Sequence, residues 1–329
     1  MALSGAPVPS LEEVRALASR REWQRIVERV SAAPAAEEPE VSFHHADALR
    51  RVGRTPEALQ VAEGLETPVR QRGDRRLLVN LVNLVGICLF ELGRNDAAGG
   101  RFEELLELSS DGGDEEFAGR ACNNLGMLAN IRGERDHALA WYGRAVASYQ
   151  RLGYTRGLAQ THHNLGISYR DLGFDRDADT HFGRAVELSE EAGLEDVMAL
   201  AEAERAGLRV RWRDGRLAGE MARRALERFR RISDPTGAAQ AIRILGLAAL
   251  AEGDATEAEV RLGEALEIAR AHEDALLHAE VQRDRGMLLR DRGDASGARE
   301  ALADAVEHFE RIGAAAEAEA LRVMISALP

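Results

Sequence analysis

The chain has 329 residues, of which 45% are hydrophobic and only 5% aromatic, and it carries a formal net charge of −13 with a pI near 5.3. Phosphate backbones and anionic lipids repel so acidic a chain, so we expect neither nucleic acid nor a membrane as partner. All 43 basic residues are arginine, and the codon usage of a GC-rich genome is a sufficient explanation.

The N-terminal residues predict a short segment that precedes the main domain. Residues 1–9 lack the basic region and apolar run of a secretory signal, and we expect them to be disordered. Residues 10–33 predict a capping pair of short helices around Trp23, followed by a linker rich in alanine, proline and glutamate. The sequence thus predicts a small cap before the main domain.

Residues 81–90 form the longest apolar stretch, which contains Asn83 and is too short to span a bilayer. Cys88 and Cys122 fall among apolar residues, and two cysteines in such surroundings indicate buried free thiols in a reducing compartment. We therefore expect a cytoplasmic protein.

Residues 40–313 repeat with a period of forty. Self-similarity at one fixed period predicts seven stacked copies of one supersecondary unit, rather than a globule with a single core. Glycines recur with the same period as the alanines. One alanine column holds Ala58, Ala98, Ala138, Ala178, Ala218, Ala258 and Ala298.

Residues 116–155 show what one copy contains. Apolar and small side chains recur at helical spacing up to residue 131, Gly133 ends this first helix, and a second helix is predicted over about 136–152. Gly126 on the first helix and Ala138 on the second mark the close crossing of the two helices. A leucine at position 126 should therefore force the pair apart.

The columns of this copy resemble those of the tetratricopeptide repeat. The leucine–glycine pair ending at Gly126, the turn glycine Gly133, and Ala138 and Ala145 flanking Tyr142 match the family pattern. The forty-residue unit is similar to the long-repeat branch found in kinesin light chain and in sensor domains of bacterial regulators. The resemblance implies an all-α, right-handed superhelical solenoid of antiparallel helix pairs, whose first helices line a concave, peptide-binding wall.

The later copies include one departure from the pattern. In the fifth copy Arg205 and Ala206 replace leucine–glycine, Ala222 replaces the bulky residue, and the glycine of the turn moves to Gly215. This leaves the register of the copy open and allows a shifted or kinked first helix. Residues 314–329 predict a single helix that caps the C-terminal end.

On this resemblance, polar residues of the first helices are candidates for the concave peptide-binding face. Two interpretations of the Asn124 and Asn164 column stand side by side: the amides hold the backbone of a bound peptide, or they bridge neighbouring helices. For the arginines we favour a solvated face paired with nearby acids over a cationic strip. The candidates are Asn83, Asn123, Asn124, Asn130, His163, Asn164, Arg170, Arg243, Arg283 and Arg290.

The sequence contains no motif that selects a reaction. The adjacent histidine pairs at 44–45 and 162–163 point to different sides of a helix, and His272 and His278 lack partners at the ligand spacing of a zinc helix. No phosphate-binding glycine loop or nucleophile elbow is present. We expect no catalytic residues, no metal and no cofactor, and hence no enzyme.

Two functions fit these features. The first is a scaffold or adaptor that binds a peptide or protein segment in the concave groove. The alternative is a peptide-sensing or partner-regulating component of a bacterial regulatory system without its own DNA-binding domain, because about thirty residues before the linker are too few for one. The oligomeric state is left open.

Overall fold

A computed structural model describes residues 9–32 and 38–329, and all regular structure in those ranges is α-helical. None of the helices in these ranges has the combination of length and apolarity needed to cross a membrane. The helices are α1 Leu11–Ser19, α2 Trp23–Ser31, α3 Pro39–Arg51, α4 Thr55–Arg72, α5 Arg75–Glu91, α6 Asn95–Gly112, α7 Glu115–Ile131, α8 Arg135–Leu152, α9 Thr155–Asp171, α10 Asp175–Glu191, α11 Glu195–Arg211, α12 Gly215–Arg231, α13 Pro235–Ala251, α14 Ala255–Ala271, α15 Ala275–Asp291, α16 Ala295–Arg311 and α17 Ala315–Ser326.

The turns explain the glycine columns. In the pair α7/α8 the turn residue Gly133 has φ +77°, and its N–H donates to Asn130 O at 3.0 Å. Side chains avoid this left-handed region, so glycine ends the helix without strain. A second glycine column, which the sequence analysis did not use, ends the second helices in the same way: Gly73, Gly113, Gly153, Gly193 and Gly313.

Many helices begin with an aspartate that caps the exposed backbone. Asp294, for example, precedes α16, and its Oδ1 accepts a hydrogen bond from Gly297 N at 2.9 Å. The carboxylate satisfies an N–H that the first turn leaves without a partner and interacts favourably with the positive end of the helix dipole. Each turn therefore both ends one helix and starts the next.

The close crossing within a pair joins a glycine on the first helix to a large side chain on the second. A Cβ built on Gly126 would lie 2.7 Å from the ring of Tyr142, which is 1% exposed. Ala138 and Ala145 are fully buried beside that ring, as the repeat pattern predicts. The same contact recurs in four other copies, as Gly86–Phe102, Gly166–Phe182, Gly246–Leu262 and Gly286–Leu302.

The fifth copy keeps the register of the others, so the suggested shift of its first helix is wrong. Helix α11 is unbroken over 17 residues, the same length as α7, α9 and α13. Arg213 adopts the left-handed turn conformation at φ 58° in place of the missing glycine. Gly215 is instead the first residue of α12, where an added Cβ would lie 2.7 Å from Ala248 O.

The chain divides into two compact units, residues 1–157 and 158–329. In each unit the core lies between successive helices. Buried alanines, leucines and aromatic rings fill it, and the seven alanines of the repeat column are fully buried. The predicted all-α fold class of stacked helix pairs is confirmed in the described ranges.

Both cysteines are free and buried. Burial raises the pKa of the Cys88 thiol to about 12, and it raises the pKa of Cys122 as well. Both side chains therefore remain protonated at neutral pH and pack as small apolar groups.

The predicted ends of the domain fall partly outside the described residues. Residues 1–8 and residue 33 are not described, so the expected disorder of 1–9 and the end of the cap at 33 are not addressed. Within the described part, Arg51 of α3 lies over the ring of Trp23 in α2, with Cζ 4.5 Å from its centroid. The division into caps and seven repeats stays a prediction.

Candidate functional site

Successive first helices are linked side chain to side chain by residues 41 positions apart. In the first unit Asn124 Nδ2 donates a hydrogen bond to Asn83 Oδ1 at 3.4 Å, joining α7 to α5. In the second unit the equivalent positions hold Arg243 and Asp284, whose Nε–Oδ2 distance is 2.6 Å. The same two repeat positions thus link neighbouring first helices in both units, although they hold two amides in one unit and an ion pair in the other.

Of the two interpretations of the asparagine column, the bridge between helices is observed at Asn124. Its partner Asn83 is 9% exposed, whereas Asn124 is half-buried. Asn123, Asn130 and Asn164 are also half-buried, and each makes polar interactions of its own. The bridge uses one of the two amide N–H donors of Asn124.

His163 is held in an apolar setting. Its ring lies 5.7 Å from that of Phe182, and its Nε2 is buried without a hydrogen-bond partner among the described residues. Burial lowers the pKa of this imidazole below its ordinary value. The neutral ring therefore packs against the second helix of its own pair.

Four first helices of the second unit, α9, α11, α13 and α15, together form a groove of about 350 Å³, which we call the first-helix groove. Three of the predicted residues, Arg170, Arg243 and Arg283, line it. Its other lining residues are Ala203, Glu204, Gly207, Leu208, Val210, Arg211, Gln240, Ile244, Leu247, Glu280 and Asp284.

Acids neutralise the predicted arginines of the groove. Arg243, whose side chain is 9% exposed, pairs with Asp284 at 2.6 Å and with Glu280 at 3.1 Å. Arg283 Nε lies 3.1 Å from the same Asp284, and Arg170 pairs with Glu204. The groove is consequently a surface of paired charges with buried apolar residues between them, not a cationic strip.

The remaining arginine of the set lies apart from this groove. Arg290 is on the exposed end of α15, where it pairs with Asp291 at 2.7 Å, and its Nη1 lies 3.7 Å from Met324 Sδ. Its side chain is 41% exposed, and it is not among the lining residues.

Sequence reasoning missed several groove residues that lie one helical turn from its columns. Gln240 and Leu247 lie one helical turn before and after Arg243, and Glu280 lies one turn before Asp284. Extending the inner-wall stripe by i±3 and i±4 would have found them. The pairing of the arginines, by contrast, needs the distances between helices.

Sequence reasoning also missed a cluster in the last helix pair. His278 of α15 lies beside Asp304 and His308 of α16, and one ligand atom from each lies within 4.8 Å of the others. His278 has no partner at the i, i+4 spacing of a zinc helix, and its neighbours are on the next helix instead. The i, i+4 spacing of Asp304 and His308 was the available signal.

The comparison with known families agrees with this geometry. Residues 117–191, which span α7 to α10, match the family described as Tetratricopeptide repeat. No curated protein sequence matches the chain. Residues 117–191 thus match tetratricopeptide repeats, and helix pairs of similar length precede and follow them from α5 to α16.

Solved structures share the fold over nearly the whole chain. The tetratricopeptide repeat sensor of a STAND (Signal Transduction ATPase with Numerous Domains) protein from Pyrococcus horikoshii aligns over 95% of this chain with a TM-score of 0.66 and 16% identity. This chain spans 48% of that protein's length. Identity at this level establishes a shared fold only.

Two Rap proteins align along almost their entire length. A Rap protein complexed with competence and sporulation factor has a TM-score of 0.64 and 15% identity, with 96% of this chain and 93% of that one covered. The Rap conjugation gene regulator of the plasmid pLS20, in complex with the Phr* peptide, has a TM-score of 0.65 and 14% identity, with 94% of each chain covered.

Proposed function

We propose that this tetratricopeptide-repeat protein is an interaction scaffold whose first-helix groove binds a peptide or a segment of a partner protein. The observation that carries the proposal is the groove itself, to which four successive first helices contribute. A segment laid across it would cover the buried apolar residues Ala203, Leu208 and Ile244. It would also exchange hydrogen bonds with the polar side chains around them.

The charges of the groove favour a ligand of mixed charge. Because Arg243 and Arg283 share Asp284, a strongly acidic segment would have to displace a carboxylate that is 5% exposed. Breaking such a buried pair leaves a charge without compensation. A segment that presents both a donor and an acceptor can instead add to the existing network.

The structural neighbours supply a second line of support. The two Rap proteins have a similar fold, and each was solved in complex with a peptide or factor. A repeat solenoid offers an extended surface of this kind, because each pair adds one more first helix to it.

To test the proposal, a partner is first captured with the full chain as bait. The segment of the partner that binds is then mapped and made as a synthetic peptide. Peptide affinity is then measured by fluorescence anisotropy for Leu247→Glu, which places a charge among the apolar lining residues, and for Arg283→Ala. We expect both variants to bind at least about tenfold more weakly, since a tenfold change is about 1.4 kcal/mol.

Arg290→Ala is the matched control, because this arginine is on the same helix but outside the groove. We expect its affinity to equal that of the unmodified protein. If the mapped peptide binds Leu247→Glu and Arg283→Ala as tightly as the unmodified chain, then the groove is not the binding site.

The likeness to Rap proteins along their length also favours the second function, a peptide-sensing or partner-regulating component of a bacterial regulatory system. If the chain is such a regulator, it alters an activity of the captured partner, and the peptide changes the size of this alteration. An assay of partner activity with the chain, and with chain plus peptide, separates regulator from passive adaptor. A partner whose activity is unchanged in both mixtures argues for the adaptor.

Three expectations from the sequence stay predictions beside these proposals. The chain is expected to act without catalysis of its own, to reside in the cytoplasm, and not to bind nucleic acid, given its charge of −13. A mobility-shift experiment with labelled DNA at low salt checks the last of these. Retention of a specific DNA would contradict it.

A further inference from the structure

The last helix pair contains a cluster with the chemistry of a metal site. His278 near the start of α15 faces Asp304 and His308 near the end of α16, so three possible ligands from two helices meet. His278 Nε2 lies 2.9 Å from Asp304 Oδ2, and His308 Nδ1 lies 3.1 Å from Asp304 Oδ1. Two imidazoles and one carboxylate form a common donor set for zinc.

The spacing of the donor atoms already suits an ion. With bonds of about 2.0–2.2 Å, the ligands of a tetrahedral zinc lie about 3.3 Å from one another. One ligand atom from each of the three residues lies within 4.8 Å of the other two. Asp304 approaches His278 through Oδ2 at 2.9 Å and His308 through Oδ1 at 3.1 Å. Because the two imidazoles are stacked in parallel and His308 Nδ1 also lies 3.0 Å from Asp304 O, at least one imidazole has to rotate to place all three donors around one ion.

Asp304 is held by a hydrogen bond from outside the three possible ligands. Gln282, one turn after His278 and 5% exposed, donates its amide N–H to Asp304 Oδ2. The two imidazole rings stack with centroids 3.8 Å apart and an angle of 7°. An outer hydrogen bond to a ligating carboxylate is the arrangement that holds metal ligands in place.

The surroundings leave room and suitable charge for an ion. A cavity of about 530 Å³ is lined by both histidines, and Arg270, Glu273, Asp274 and Arg311 lie around it. The cavity lining has two carboxylates and two arginines, and Asp304, which is not part of that lining, adds one negative charge beside the histidines. The cavity leaves a fourth coordination position open to water.

We propose that His278, Asp304 and His308 bind one Zn²⁺ ion, which links α15 to α16 in the last repeat. The proposal does not depend on the first-helix groove or on any partner. The bound ion would be held by one residue of the first helix and an i, i+4 pair of the second. It would therefore stabilise this helix pair against separation.

The test uses the full chain without a histidine tag, stripped with a chelator and titrated with Zn²⁺ by calorimetry. We expect about one ion per chain, and at least about tenfold weaker binding in Asp304→Asn and in His308→Ala. Titration with Co²⁺ gives a separate readout, the visible absorption bands of a tetrahedral site. These bands should appear in the unmodified protein and be absent from both variants.

His272→Ala is the matched control, because this exposed histidine lies just before α15 and outside the cluster. We expect it to bind zinc as the unmodified chain does. Circular dichroism of each variant shows whether it is folded, and if Asp304→Asn is not, His308→Ala decides alone. Failure of the unmodified chain to bind zinc stoichiometrically, or an equal loss in His272→Ala, would overturn the proposal.

Discussion

At the scale of single residues, the repeat depends on one size-matched contact. A glycine on the first helix faces an aromatic ring or a leucine on the second, and there is no space for a Cβ between them. The fifth copy supports this interpretation, since Ala206 replaces the glycine and Ala222 replaces the large residue. The first copy shows the same joint change, with Ala46 and Ala62 at these positions. In both copies the two positions thus differ together from the other five, which keeps the crossing filled.

This contact predicts a strong coupling between Gly126 and Tyr142. We expect Gly126→Ala to cost about 1–3 kcal/mol through overpacking, and Tyr142→Ala to cost about 3–5 kcal/mol through a cavity. The double variant, which reproduces the pairing of the fifth copy, should lose less than the sum by about 1 kcal/mol or more. Urea unfolding of the four proteins measures these free energies.

Gly143→Ala provides the control for this cycle. It lies in the same helix pair, but an added Cβ meets nothing within 4 Å. We expect the helix to gain about 0.5–1 kcal/mol there. Additive effects of Gly126→Ala and Tyr142→Ala would mean that the two positions do not share one contact.

At the scale of elements, the turns rather than the helices require glycine for its backbone freedom. Gly253 has φ +85° in the turn between α13 and α14, whereas Gly263 lies within α14. Neither position has an atom within 4 Å of an added Cβ. The same substitution at the two sites therefore isolates the backbone effect from packing.

We expect Gly253→Ala to destabilise the chain by about 1–2 kcal/mol, because alanine avoids the left-handed region. Gly263→Ala should stabilise it by about 0.5–1 kcal/mol, because alanine favours the helix. Thermal and urea unfolding of both variants check the opposite signs. A gain in stability at Gly253 would show that the turn relaxes to another conformation.

Also at this scale, the links between successive first helices limit what the candidate site can do. Asp284 is 5% exposed and serves both Arg243 and Arg283, so part of the polarity of the groove is structural. The more exposed members, Arg170 and Arg283 at 31% and 28%, keep donors that a ligand can reach. This is why Arg283 rather than Arg243 is the informative position for testing binding.

At the scale of the whole molecule, the helices within each unit pack mainly on the next helix in the chain. A chain with only neighbour contacts need not lose structure everywhere when one repeat is weakened. We expect Tyr142→Ala to lower hydrogen-exchange protection most in α7 and α8, less in the adjoining helices, and least in α13 to α16. Exchange measured by mass spectrometry on peptides from each pair checks this gradient.

A uniform loss of protection across all helices would contradict the prediction and indicate one cooperative unit. Leu262→Ala supplies the converse variant, since Leu262 is fully buried in the second unit against Gly246. We expect Leu262→Ala to lower hydrogen-exchange protection most in α13 and α14. The two variants together separate local from global unfolding.

The sequence by itself determined the all-α fold, the forty-residue unit and the small residues at each helix crossing. These properties follow from periodicity and side-chain size, which are local and recur along the chain. The register of the fifth copy was less clear from the sequence, because its turn residue Arg213 adopts the left-handed conformation without being a glycine. The sequence carries no marker for that exception.

Only the tertiary structure decided which polar residues meet. Arg170, Arg243 and Arg283 come together with Glu204, Glu280 and Asp284 because the first helices stack, and His278 meets Asp304 across a pair. Such contacts join residues some 26 to 41 positions apart. They depend on distances between helices of a few ångströms, which a one-dimensional pattern does not encode.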